Sequence, residues 1–186
     1  MIRTLIWRRL DQPGAEHCVL SHTEQGWSLA GSVVVALNGS PTLVSYVVEC
    51  DAAWRTRAVN VAQVTNGAHR ALRLRVDEQQ RWWRDDEELV GVSGCVDVDL
   101  GITPSTNTLP IRRLDLNVGQ SADVTAAWVR FPELSITPLH QRYTRREALR
   151  YRYESAGGSF VANIDVDEVG LATYYADVWK CEAVGG

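Results

Sequence analysis

The chain has 186 residues, of which 45% are hydrophobic and 23% are charged, and its formal net charge is −4. These values are typical of a globular protein, and the length predicts one domain over residues 1–186. An acidic chain lacks the basic surface that DNA and RNA binding require, so no nucleic-acid partner is expected.

The first residues contain no apolar run followed by a small-residue cleavage site, so a secretory signal is not expected. The longest aliphatic run, residues 33–37, is too short to cross a bilayer. The four cysteines form no Cys-x-x-Cys pair. We therefore expect a soluble, cytoplasmic protein with no transmembrane segment and with reduced thiols.

Two segments carry the signal of a β-hairpin. Residues 31–46 contain two apolar runs around Asn38-Gly39, and residues 59–76 repeat this arrangement around Asn66-Gly67. Asn-Gly favours a tight turn between strands because both residues tolerate a positive φ.

Apolar and polar residues also alternate with a period of two, which is typical of a strand with one buried face. The segments with this alternation are residues 71–76, 96–100, 149–154 and 160–167. Together with the hairpins, they predict a mainly β protein with a mostly antiparallel sheet.

Helical signals are few. Residues 106–114 are one candidate, with Thr106 or Asn107 as the N-cap and Pro110 in the first turn. Residues 121–130 are equally compatible with a helix or a strand, and Pro132 ends either one.

Asp97 and Asp99 are the most suggestive polar pair. On one face of a strand their positions are about 6.5–7 Å apart, which suits a shared cation, sugar hydroxyls or a pair of catalytic carboxylates. The simpler interpretation is a solvent-exposed strand face. No nucleotide-binding or nucleophile motif occurs, and the histidine spacing does not suit a metal, so no cofactor is expected.

Several segments resemble one bacterial family, once catalogued as a domain of unknown function and now called putative glycolipid-binding. The longest of them is residues 94–114, GCVDVDLGITPSTNTLPIRRL. The other matching segments are GWSLAG (26–31), WRTR (54–57), AWV (127–129), QRY (141–143) and YRYES (151–155).

The resemblance implies a spiral β-roll, in which a mostly antiparallel sheet wraps around a single helix, and a homodimer. It also implies a glycolipid or related amphiphile bound in an acidic pocket, with the acyl chains in an apolar concavity. The candidate ligand-binding residues are Asp97, Asp99, Glu16, Asp51, Trp54, Arg55, Arg57, Asn107, Arg112, Arg113 and Tyr143.

Each residue type has an expected role. The carboxylates would accept hydrogen bonds from sugar hydroxyls, and the arginines would balance that charge or hold a phosphate. Asn107 and Tyr143 would supply neutral hydrogen bonds, and Trp54 a stacking surface. Two alternatives remain open: a carboxylate-dependent hydrolase of a glycoside or lipid head group, and a structural or interaction module with an internal Asp–Arg network.

Overall fold

The computed structural model describes residues 2–186. Within this range the chain forms fifteen strands, all in one sheet. The strands are β1 (Ile2–Arg9), β2 (Gly14–Thr23), β3 (Gly26–Leu37), β4 (Ser40–Cys50), β5 (Thr56–Thr65), β6 (Ala68–Val76), β7 (Trp82–Arg84), β8 (Glu87–Glu88), β9 (Val98–Leu100), β10 (Ser121–Arg130), β11 (Ser135–Glu147), β12 (Arg150–Ser155), β13 (Phe160–Val166), β14 (Ala172–Tyr175) and β15 (Trp179–Gly185).

Two antiparallel meanders make up the sheet, and they are joined side by side through β1 and β15. The first meander runs outward from β1 to β8, and the second runs outward from β15 to β9, whose pairing with β10 is parallel. The sheet is curled, as hydrogen bonds between segments far apart in the strand order show. The Thr56 amide donates to Val96 O (3.1 Å), and Gln63 Nε2 donates to Pro132 O (3.2 Å).

The one α-helix of residues 2–186, α1 (Thr108–Leu114), lies inside this curve. Leu109 is fully buried in the larger apolar cluster, which contains Trp7, Val44 and other inward residues of the first meander. Ile111 belongs to a second cluster with the tyrosines of β11 and β12. The helix therefore stabilises both halves of the sheet, since its apolar side chains contribute to both cores.

The main expectations for the fold are confirmed. The sheet is mostly antiparallel, and the two Asn-Gly hairpins are β3–β4 and β5–β6. Residues 121–130, for which the sequence left helix and strand open, form a strand. On β6 the leucines and Val76 are buried while Arg73 and Arg75 are exposed. No helix among residues 2–186 is both long and apolar enough to cross a bilayer.

Two local expectations were wrong. The helix has no side-chain N-cap, because Asn107 lies in a 3₁₀ turn (Ser105–Asn107) and donates its amide to Pro104 O (3.1 Å). The segment 96–100 is not a solvent-exposed face either, since Asp97 is 1% exposed and Asp99 is half-buried. The alternation of apolar and polar residues predicted a strand here, but it could not show that side chains of other segments cover the polar face.

The helix should be needed for stability. Leu109→Ala should lower the free energy of unfolding by about 2–5 kcal/mol, because it leaves a cavity between α1 and the sheet. Val34→Ala is the control, since Val34 is 60% exposed on β3 and its loss should cost about 0.5 kcal/mol or less. Urea unfolding of both variants tests this, and equal losses would contradict the inner position of α1.

Candidate functional site

A cleft of about 410 Å³ opens between the second meander and the segment that leads into α1. We call it the Asp99 cleft. It is lined by Arg9, Asp11, Asp99, Gly101, Thr103, Asn107, Trp128, Leu139, Tyr153, Ser155, Ala156, Phe160, Tyr175, Val178 and Trp179. Its size is within the usual range for small-molecule sites.

Aromatic side chains from successive strands form much of the cleft wall. Tyr153, Phe160 and Tyr175 pack edge to face, with ring centroids 6.0–6.3 Å apart. These residues come from β12, β13 and β14, which lie next to one another in the sheet. The wall is therefore a direct product of antiparallel pairing, which aligns inward side chains of neighbouring strands.

Gly101 leaves room for the indole ring of Trp128 in the cleft lining. A Cβ atom at this position would lie 2.7 Å from Trp128 Nε1, closer than such contacts allow. Trp128 pairs with Asp99 across the parallel β9–β10 ladder. The glycine therefore lets the indole lie beside Asp99.

Asp99 is the carboxylate of the cleft interior. Its Oδ2 accepts a hydrogen bond from Gln141 Nε2 (2.5 Å), which also donates to the Tyr153 hydroxyl (3.0 Å). Loss of hydration raises the pKa of Asp99 to about 6, and the hydrogen bond from Gln141 offsets only part of that rise. The carboxylate is therefore mostly ionised at neutral pH but readily protonated below it.

Thr103 and Asn107 form the side of the cleft nearest to the helix. The Tyr143 hydroxyl donates to Asn107 Oδ1 (2.9 Å) and holds the amide in place. Tyr143 itself is 1% exposed, so it lies behind the lining.

Behind Thr103 is a fully buried carboxyl group, Glu16. Its Oε1 accepts hydrogen bonds from the Tyr46 hydroxyl and from Thr103 Oγ1 (2.8 Å), while Ser105 Oγ lies 2.7 Å from the Tyr46 oxygen. Gly31 makes the contact possible, because a Cβ there would lie 2.3 Å from the Tyr46 ring that crosses it.

The charge of Glu16 is determined by its burial, because its side-chain hydrogen-bond partners are hydroxyl groups and not a cation. Desolvation raises its pKa to about 8, and the hydrogen bonds from Tyr46 and Thr103 lower it by less. Glu16 is therefore mostly protonated at neutral pH, and it links β2, β4 and the segment before α1 as a neutral hydrogen-bonding group.

Asp97 is part of a separate buried contact. Arg113 Nε and Nη2 donate to its two carboxylate oxygens (3.0 and 2.5 Å), which joins α1 to the segment before β9. Burial raises the pKa of Asp97, and Arg113 counteracts part of this effect. Asp97 and Asp99 are therefore neighbours in sequence with different partners.

The remaining candidates lie outside the cleft lining. Asp51 caps the turn before β5 through the amides of Ala53 and Arg55 and pairs with Arg57 (2.6 Å). Desolvation opposes ionisation of Asp51, but these hydrogen bonds and Arg57 outweigh it and lower the pKa. The Arg55 side chain is exposed.

Trp54 also has protein partners. Its ring stacks on Trp27 with centroids 4.3 Å apart, and the Arg112 guanidinium lies 5.7 Å from its centroid. The side chain is 6% exposed, so this aromatic stack is largely covered by the protein itself.

The structure thus places two of the candidates, Asp99 and Asn107, in the cleft lining, with Tyr143 and Glu16 directly behind it. Sequence reasoning missed Gln141 and the residues of the aromatic wall. Partial signals existed, since QRY, AWV and YRYES contain Gln141, Trp128 and Tyr153. Nothing in the sequence indicated that these segments meet.

At the rim of the cleft, the positive charge of Arg9 is neutralised by Asp11. Arg9 donates from Nε and Nη2 to the Asp11 carboxylate (2.7 and 3.2 Å) and lies 5.2 Å above the Trp179 ring. The Arg9 side chain is only 13% exposed. The rim therefore presents a stacked ion pair and no free positive charge.

Comparison with known proteins gives a consistent result. The profile of the family described as "Putative glycolipid-binding" matches residues 4–181. The crystal structure of a DUF1089 family protein from Pseudomonas aeruginosa is similar to the chain, with 33% sequence identity and a TM-score of 0.82. The match covers 90% of this chain and 91% of that one. No curated protein matches.

Glu16 should make stability depend on pH. Because folding raises its pKa from 4.5 to about 8, its stabilising contribution is complete below pH 4.5 and is lost as the pH rises through 8. Between these values the free energy of unfolding should fall by up to about 1.4 kcal/mol per pH unit more in the wild type than in Glu16→Gln. Parallel curves from urea unfolding at several pH values would contradict the buried, protonated state.

Asp97 should contribute to stability and not to binding. Asp97→Asn leaves Arg113 without its carboxylate, and we expect the free energy of unfolding to fall by about 2–4 kcal/mol with unchanged ligand affinity. Asp123→Asn is the control, since it breaks an exposed pair with Arg142 and should cost about 1 kcal/mol or less. Weaker ligand binding by a folded Asp97→Asn protein would argue against this division of roles.

Proposed function

Since the chain belongs to the Putative glycolipid-binding family, we propose that it binds the head group of a glycolipid or related amphiphile in the Asp99 cleft, without catalysis. The observation that carries this proposal is the lining, in which an aromatic wall accompanies the hydrogen-bonded carboxylate of Asp99. Small-molecule sites typically combine apolar walls with a few placed polar groups.

The lining suits a polyhydroxylated ring. Aromatic faces offer flat apolar surfaces for the C–H faces of a sugar, while Asp99 accepts hydrogen bonds from hydroxyl groups. Asn107 adds a neutral polar group whose oxygen already accepts from Tyr143. We therefore propose that Asp99 supplies the acidic group of the pocket that the family resemblance implies.

The acyl chains of such a ligand would stay outside the protein. Inward side chains of both meanders and of α1 pack the concave side of the sheet into two apolar clusters. Phe160 lies at the cleft and is 40% exposed, so it offers an apolar surface next to the head group. This proposal differs from the sequence-based expectation that the acyl chains lie in an apolar concavity of the sheet. A homodimer in the cytoplasm remains an expectation from the resemblance and composition.

A second candidate function is hydrolysis of a glycoside or lipid head group. The observation that favours it is the pKa of Asp99, raised to about 6 in a cleft that also contains Asp11 at its rim. Incubation with nitrophenyl glycosides and with glycolipids distinguishes the two functions. Turnover that is lost in Asp99→Asn would replace the binding proposal with hydrolysis.

Phe160 provides a test of the binding proposal. Phe160→Ala removes one ring of the wall, and affinity for a co-purifying glycolipid or for octyl β-D-glucopyranoside should fall by about twofold to tenfold. Val161→Ala is the matched control, because Val161 is exposed on the same strand and is outside the cleft lining. Native mass spectrometry of protein purified from its host, followed by calorimetry, provides the measurement.

A consistently empty protein with no thermal shift across a glycolipid panel would argue strongly against the proposal. An equal loss of affinity in both variants would move the binding site away from the cleft.

A further inference from the structure

The aspartates of this protein follow a pattern with one exception. Among residues 2–186, six aspartates are buried or half-buried, and five of these have an arginine nitrogen within 3.3 Å. These five pairs are Asp51–Arg57, Asp77–Arg81, Asp97–Arg113, Asp165–Arg150 and Asp167–Arg3. The sixth, Asp99, has the neutral Gln141 instead.

A carboxylate removed from water normally acquires a cationic partner, because desolvation of an unpaired charge is costly. The nearest candidate in the cleft, Arg9, is already bound to Asp11 and stacked on Trp179. With Arg9 and Asp11 neutralising each other, the described lining has one uncompensated negative charge, on Asp99.

A metal ion does not suit the position of a cation that would pair with Asp99. No group of three or more His, Cys, Asp or Glu side chains that could hold a metal occurs within residues 2–186, whereas hard cations require several oxygen ligands. The aromatic wall points instead to an organic cation. Ring faces attract ammonium groups, and Tyr153, Phe160 and Tyr175 contribute to the same lining as Asp99.

We infer that the Asp99 cleft takes a head group carrying a protonated amine, as in an amino sugar, whose ammonium pairs with Asp99 inside the aromatic wall. This inference rests on the proposed function and specifies the class of its ligand. It also explains why the candidate arginines need not hold a phosphate. Arg57 and Arg113 have carboxylate partners elsewhere, and Arg112 stacks on Trp54.

Binding should weaken as Asp99 takes up a proton. The titratable groups near it include Tyr143, Tyr153 and Tyr175, whose pKa values are raised. The charged groups are the Arg9–Asp11 pair at the rim, the Asp97–Arg113 pair, and Arg130, which stacks on Trp128. The tyrosines stay neutral at and below neutral pH, and the raised pKa of Asp99 lies near 6. Preference for an amine should therefore decline between pH 7 and pH 5.

The test compares three probes with the same tail: octyl β-D-glucopyranoside, its 2-amino-2-deoxy analogue and the N-acetylated form of that analogue. Near neutral pH the amine should bind about tenfold more tightly than either neutral probe, the coupling that corresponds to one pKa unit. Asp99→Asn should abolish that preference, since the asparagine oxygen can still accept from Gln141 but has no charge.

Asp123→Asn is the matched control, because it removes one carboxylate outside the Asp99 cleft and should keep the preference for the amine. Melting temperatures of both variants verify folding. Equal affinity for all three probes, or a preference that survives in Asp99→Asn, would overturn the inference while leaving the proposed function intact. Failure of all three probes to bind would count against both.

Discussion

The contact between the segment leading into α1 and the inner face of the sheet determines the rest of the structure. Thr103 and Ser105 approach Glu16 and Tyr46, so that Glu16 Oε1 and three hydroxyl groups form one buried hydrogen-bonded cluster, while Glu16 Oε2 has no protein partner. Hydrogen bonds among buried polar groups offset the cost of removing them from water and hold them in one arrangement. Its geometry therefore fixes where Thr103 lies, and Thr103 lines the cleft.

Proton affinity differs among the three acidic groups near α1 because their partners differ. Glu16 has only hydroxyl groups and binds its proton tightly, whereas Asp97 shares a bidentate contact with Arg113. Asp99 accepts a hydrogen bond from the Gln141 amide and is half-buried in the cleft. Local partners, more than residue type, thus make one carboxyl group a neutral hydrogen-bonding link, one a member of an ion pair and one a charge that faces the cleft.

Much of the fold could be predicted from local patterns. The Asn-Gly turns and the alternation on β6 gave hairpins and buried faces, because backbone turn geometry and the pleat are properties of neighbouring residues. Local signals also predicted a helix over residues 106–114; α1 spans Thr108–Leu114, and its N-terminus lacks the predicted side-chain cap. Local patterns could not decide between helix and strand for residues 121–130. Pairing with β9 and β11 makes them a strand.

The sequence by itself determined the mainly β character and the hairpins, and it singled out Asp97 and Asp99 as candidates. Only the tertiary structure decided that these two aspartates have different partners, because Arg113 of α1 reaches Asp97 while Gln141 of β11 reaches Asp99. It also brought together the aromatic wall from β12, β13 and β14. The physical reason is that burial and pairing depend on contacts between residues far apart in sequence, which periodicity cannot express.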